Sequence, residues 1–244
     1  MLNPRPSLVP GMAQFIDAAN TTNNTLEVLI GGKKWPNGGQ LAPLSFSAAS
    51  GEIVVLSGPP GSGKNSVLRM IAGWDRDYLG SIWYRGRLLQ GASREVGFVT
   101  AATPLLPWLN IADNVAFGTE ANARNTERYA RAIDALRTVG LADREAALPS
   151  AIPPDEVQRI GIARALYANP GVLLLDDPFS ATPSDLRLAP LLRRLADEHR
   201  LAIVLSTRNE TDAARVAGRL VTLPAIAPPA GIASLAPQLY RDRQ

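Results

Sequence analysis

Residues 53–72 carry the strongest constraint on what this chain can fold into. An apolar run, Ile53-Val54-Val55-Leu56, leads into Gly58-Pro59-Pro60-Gly61-Ser62-Gly63-Lys64, and a stretch of helical character, Ser66–Ala72, follows. Strand, glycine-rich turn and helix in that order form a phosphate cradle. The glycines let backbone N–H groups converge on phosphate oxygens, Lys64 adds a point charge, and the helix N-terminus adds its dipole. Gly58, Pro59, Gly61, Ser62, Gly63, Lys64, Asn65 and Ser66 are therefore the expected phosphate-binding set. The pattern G-x-x-x-x-G-K-[ST] asks for a hydroxyl directly after the lysine, and this chain has Asn65 there.

Composition narrows the remaining choices. The 244 residues suit one large domain, or one domain with a subdomain. A net charge of +3 is small for that length, and no dense Lys/Arg block interleaves with aromatics, so no nucleic-acid partner is expected. Cysteine is absent, which excludes disulfides, thiolate metal sites and cysteine nucleophiles. The single histidine, His199, stands among Asp197, Glu198 and Arg200 and is expected at the surface, leaving no histidine-based catalysis. No apolar run reaches membrane-span length and the first residues lack a signal-peptide core, so a cytoplasmic protein is expected.

Strand patterns at 26–30, 44–47, 53–56, 96–99, 172–175 and 201–206 alternate with helical patterns at 66–72, 127–139, 158–167, 184–200 and 210–217. The fold class is α/β, with a mainly parallel sheet covered on both faces. Residues 101–118 read as irregular with apolar anchors. A flexible arm is expected over 1–25, the domain over 26–223, and a tail over 224–244. Asp176 closes an apolar strand, where a carboxylate can hold Mg²⁺ opposite the phosphate loop.

Taken together these stretches resemble the ATP-binding subunit of ABC transporters, nearest to the nitrate, sulfonate and taurine importer group. The resemblance rests on GPPGSGKNSVLRMIAG at 58–73, LLPWLNIADNVAFG at 105–118, QRIGIARAL at 158–166 and VLLLDDPF at 172–179, in that order. It implies a P-loop NTPase (RecA-like) core, a helical subdomain at about 102–157 and a small antiparallel β portion. It implies ATP as ligand, with Trp35 stacking on adenine and Asp176 and Asn65 at the metal position. It further implies a second ABC chain as homo- or heterodimer partner, and a membrane permease met through the Leu105–Gly118 region. The place would be cytoplasmic, peripheral on the inner face of the plasma membrane. Leu105, Leu106 and Trp108 are candidates for that permease contact, whereas Phe117 is expected in the subdomain's own core.

The departures from the family pattern fall on the chemistry. The metal-binding Ser/Thr is Asn65, the Gln that senses metal and water is Ala101, and the catalytic Glu is Asp177, a base one methylene shorter. The switch His is Arg208, and Ser-Ala-Leu-Asp reads Ser180-Ala181-Thr182-Pro183. The Leu-Ser-Gly-Gly signature aligns with Ile152-Pro153-Pro154-Asp155, which lacks two N–H donors and adds a carboxylate. The resulting expectation is an ATP-binding subunit with impaired hydrolysis and weak or absent Mg²⁺, Asp177 and Arg208 being the catalytic candidates. An active ATPase importing a small anion, and a nucleotide-independent scaffold, are the alternatives.

Overall fold

The computed structural model describes residues 25–36, 38–118, 125–180 and 186–226. The expected arm and tail lie outside these residues, apart from Thr25, which opens the first strand, and 224–226. In chain order the elements are β1 (Thr25–Lys34), β2 (Gln40–Leu41), β3 (Leu44–Ala49), β4 (Ile53–Ser57), α1 (Lys64–Ile71), β5 (Leu79–Tyr84), β6 (Arg87–Leu88) and β7 (Val96–Val99). There follow α2 (Ile111–Val115), α3 (Asn125–Thr138), α4 (Pro154–Leu166), β8 (Val172–Asp176), α5 (Leu188–His199), β9 (Ala202–Ser206), α6 (Thr211–Arg215) and β10 (Arg219–Thr222).

Two sheets result. One is entirely parallel, in the order β10-β4-β9-β8-β7. The other is antiparallel, β2-β1-β5-β6, with β3 also paired to β1. The parallel sheet separates two cores. Ile53, Val55, Leu173, Leu175, Ile203 and Leu205 face one of them, shared with α2, α3, α4 and α5. Val54, Leu56, Val172, Leu174, Ala202 and Val204 face the other, shared with α1 and the antiparallel sheet. Side chains alternate along a strand, so a strand buried on both faces is apolar at every position. That is why these strands read as unbroken Ile/Val/Leu runs.

Several expected elements change. The 101–118 segment contains the short helix α2, whose N-cap Asn110 accepts a 2.7 Å bond from Asp113 N–H. The fourth helix, expected over 158–167 with a Pro-Pro-Asp-Glu start at 153–156, takes in that start and begins at Pro154, because proline at the first helical position forfeits no hydrogen bond. The strands β5 and β6 form a two-residue hairpin through Arg85 and Gly86, at φ 51° and 71°, a primed turn that suits strand twist.

A parallel arrangement brings all strand C-termini to one edge. Ser57, Asp176 and Ser206 end β4, β8 and β9 there, with Asp176 in register with Ser206. Ligands of open α/β sheets bind outside this edge.

Candidate nucleotide site

The loop after β4 wraps onto the N-terminus of α1. Gly63 caps that helix at φ 93°, a conformation glycine adopts without penalty. Gly58, at φ 149°, lies so close to the residue that follows β10 that an added Cβ would meet Leu223 O at 2.4 Å. Lys64 is buried and curls over the loop, donating to Gly58 O at 2.6 Å, Pro59 O at 3.0 Å and Ser62 Oγ at 3.3 Å. Burial lowers the Lys64 pKa; Asp177 opposes that, Arg208 reinforces it, and Asp176 opposes it again.

A cavity of ≈ 460 Å³ opens above the loop. Gly61, Ser62, Gly63, Lys64, Asn65 and Ser66 line it on one side, and Asp176, Asp177 and Arg208 on another. Trp35 forms a half-buried apolar wall, with its ring edge next to Gly63. Gly58 and Pro59 do not line the cavity; their carbonyls hold Lys64 instead. Ile226, within the stretch expected as a tail, also lines it.

The charged edge is internally bonded. Asn65 Nδ2 donates to Asp176 Oδ2. Ser206 Oγ donates to Asp176 Oδ1 at 2.8 Å and accepts from Asp177 N–H at 3.0 Å. Asp177 adopts φ 44°, and its Oδ2 accepts from Arg208 Nε at 3.0 Å. Five side chains from two strand ends, β8 and β9, and one helix, α1, thus form one polar network facing the loop.

Other expected positions stand apart. Ala101 brings no polar side-chain atom to the segment after β7. None of residues 152–155 lines the cavity: Ile152 is buried in the first core, and Pro153 caps α4. Of the Ser180–Pro183 segment only Ser180 lies within the described residues. His199 is exposed, as expected. Trp108 is 73% exposed and Leu105 packs against the first core. Phe117 is 54% exposed and so is not a core residue, since it follows the end of α2 and points off the packed face formed by Ile111, Ala112 and Val115.

Asn114 organises this region. It is fully buried; Oδ1 accepts from Leu106 N–H at 2.7 Å and Arg164 Nη2 at 3.1 Å, and Nδ2 donates to Leu106 O, Leu109 O and Asn110 O. A polar residue in the middle of an apolar helical turn was its only signal.

The model of the ABC transporter family matches residues 41–180, more than half the chain. The chain belongs to the ABC transporter family. It is 38% identical over 206 residues to the aliphatic sulfonates import ATP-binding protein SsuB 1 of Xanthomonas axonopodis pv. citri, covering 83% of this chain and 82% of that protein. It is also 38% identical over 186 residues to the taurine import ATP-binding protein TauB of Shigella dysenteriae serotype 1, covering 75% and 73%. Among solved structures, a dimeric bacterial ABC transporter cassette superposes with a TM-score of 0.70 at 26% identity, covering 82% of this chain and 94% of that one. This ABC chain therefore has the P-loop NTPase fold, with its parallel sheet, antiparallel sheet and helices. Among the described residues no helix is long and apolar enough to cross a membrane.

Proposed function

We propose that this ABC chain is the ATP-binding subunit of an importer for a small sulfonate of the alkylsulfonate or taurine kind. The observation that carries this is the cradle itself: Gly61–Ser66 and Lys64 facing Asp176, Asp177 and Arg208 across one cavity, with Trp35 as the apolar wall for a base. The names of the relatives supply the solute class, and their likeness supports a pair of such subunits working against a membrane permease. In this reading 26–223 forms the cassette, about 102–157 its helical subdomain, and Trp108 lies on the face turned to the permease. The chain sits on the cytoplasmic side of the membrane. ATP binding energises import, and Asp177 supplies the carboxylate that receives a proton from the attacking water. Sulfonate uptake by cells that depend on this chain, lost in Lys64→Ala, tests the reading; uptake unaffected by that change would overturn it.

A second reading, slow or absent hydrolysis, is favoured by one specific contact. Arg208 Nε already donates to Asp177 Oδ2 at 3.0 Å, so that oxygen is occupied where a general base must meet the attacking water. Steady-state phosphate release by the purified chain, alone and with its permease, separates the two.

A further inference from the structure

We propose that this chain holds the triphosphate of its nucleotide without a divalent cation, Arg208 bringing positive charge that a metal would otherwise bring. This rests on the nucleotide-binding reading above.

The metal position does not fit Mg²⁺. That ion requires oxygen ligands in near-ideal octahedral geometry. At residue 65 a hydroxyl is replaced by an amide whose Nδ2 donates to Asp176 Oδ2. Turning the amide over would set two oxygens against each other, so the donor orientation is the one the carboxylate accepts. The second oxygen of Asp176 accepts from Ser206 Oγ at 2.8 Å. Both carboxylate oxygens that would face an ion or its water shell therefore accept hydrogen bonds from the chain itself. Asp177 is likewise engaged by Arg208. Among the described residues, no group of three His, Asp or Glu side chains could hold a metal elsewhere.

Charge balance points the same way. Lys64 and Arg208 face the cavity together with Asp176 and Asp177. Two cations therefore meet two carboxylates. With a neutral side chain at 208, the carboxylates would outnumber the cations and a metal would be needed before an anion could enter. Arg208 removes that deficit. Its side chain is 61% exposed and only Nε is used on Asp177, so the two terminal nitrogens can turn to phosphate oxygens as a planar fork.

The test is equilibrium binding of ATP to the full chain by calorimetry, in EDTA and in excess Mg²⁺. Binding in EDTA is expected to be as tight as in Mg²⁺, or weaker by less than about fivefold. Arg208→Ala is expected to weaken binding in EDTA by at least about tenfold, and Arg208→Lys by less. Asn65→Ser restores a hydroxyl and is expected to make Mg²⁺ tighten binding by at least about tenfold. The proposal is overturned if Mg²⁺ tightens binding to the native chain by fivefold or more, or if Arg208→Ala leaves EDTA binding unchanged, with folding of the variant checked by its melting curve. Absence of binding in both buffers would instead overturn the nucleotide-binding reading itself.

Discussion

Arg208 Nε donates to Asp177 Oδ2 across 3.0 Å, joining the segment after β9 to the carboxylate proposed above as the base. The pair is partly open to solvent, at 61% and 21% side-chain exposure. Such pairs contribute about 0–1 kcal/mol to stability, so the consequence lies in the site and not in the fold. Replacing Arg208 by His frees the Asp177 carboxylate, and a general base contributes about 10²–10⁴-fold to a rate. At saturating ATP and Mg²⁺, where weaker binding by a neutral side chain at 208 does not limit the rate, the expected outcome for Arg208→His is a rise in ATP turnover of about tenfold or more, with a melting temperature within about 2 °C of the parent. Phosphate-release kinetics and a thermal melt check both halves. An unchanged rate would show that the ion pair does not restrain the base.

Lys64 gives a second expectation, of opposite sign. Its ammonium is held by two carbonyls and a hydroxyl of the loop, so in the free chain it is already placed over the cradle. A hydrogen bond to a charged partner contributes about 1.5–3 kcal/mol. Lys64→Ala is accordingly expected to weaken ATP binding by about 10- to 100-fold. Gly58 is half-buried and Pro59 exposed, so the carbonyls left behind can bond solvent and the melting temperature falls little. Calorimetric titration beside a melt separates lost binding from lost folding.

These two residues also mark where sequence was sufficient. The parallel sheet was legible because its strands are apolar on both faces, and the cradle because strand, glycine loop and helix each leave a local signature. The β5–β6 hairpin was missed because Leu79–Tyr84 includes Gly80 and Ser81 and alternates poorly; the Arg85-Gly86 turn was its clearest mark. The site network was half legible. Asp176 fits the family pattern, and Asn65, Asp177 and Arg208 stand out against it, yet their mutual bonding depends on β8 and β9 ending in register, which no local pattern encodes. Ser206 and Ile226 were invisible for the same reason: the first lies inside an apolar strand, and the second lies in an apolar, proline-rich stretch. Phe117 misled because an aromatic after an amphipathic turn reads as core, whereas the helix ends one turn too early to bury it.

Asn114 tests the segment between the parallel core and α3. Its amide satisfies three carbonyls and its oxygen two donors, all drawn from loop 104–110 and from α4. Truncation leaves buried donors and acceptors without partners, each costing about 1–3 kcal/mol where water cannot enter. Asn114→Ala is expected to lower stability by about 2–4 kcal/mol, and the melting temperature by about 5–10 °C. The loss is greater than for exposed Trp108→Ala, which is expected to leave the melting temperature nearly unchanged. Comparing the two melts checks the ranking. Since Trp108 follows Leu106 in the stretch that Asn114 pins, Asn114→Ala is also expected to weaken assembly with a permease, as read by copurification.

At the start of α4 a different pair sets the response to acid. Glu156 is buried in the first turn, where Arg144 Nε donates to its Oε2 at 2.8 Å and Nη2 to its Oε1 at 3.1 Å. These hydrogen bonds hold the Glu156 carboxyl below its usual range; burial opposes them, and the charges of Arg144 and, less, Arg159 assist. A carboxyl depressed in the folded state stabilises the fold above its unfolded pKa, about 4.3, and loses that contribution as pH falls through the folded value. The native chain is therefore expected to lose melting temperature between about pH 5 and pH 3, and Glu156→Gln to lose less over the same window. At pH 7 the order reverses and Glu156→Gln melts lower, because Arg144 then lacks its charged partner and the helix N-terminus its anion. Arg144→Ala is expected to act similarly at pH 7, and the double variant to be no worse than the sum of the singles. Thermal melts at the two pH values check this, and identical acid slopes for the native chain and Glu156→Gln would show that the proton is taken up elsewhere.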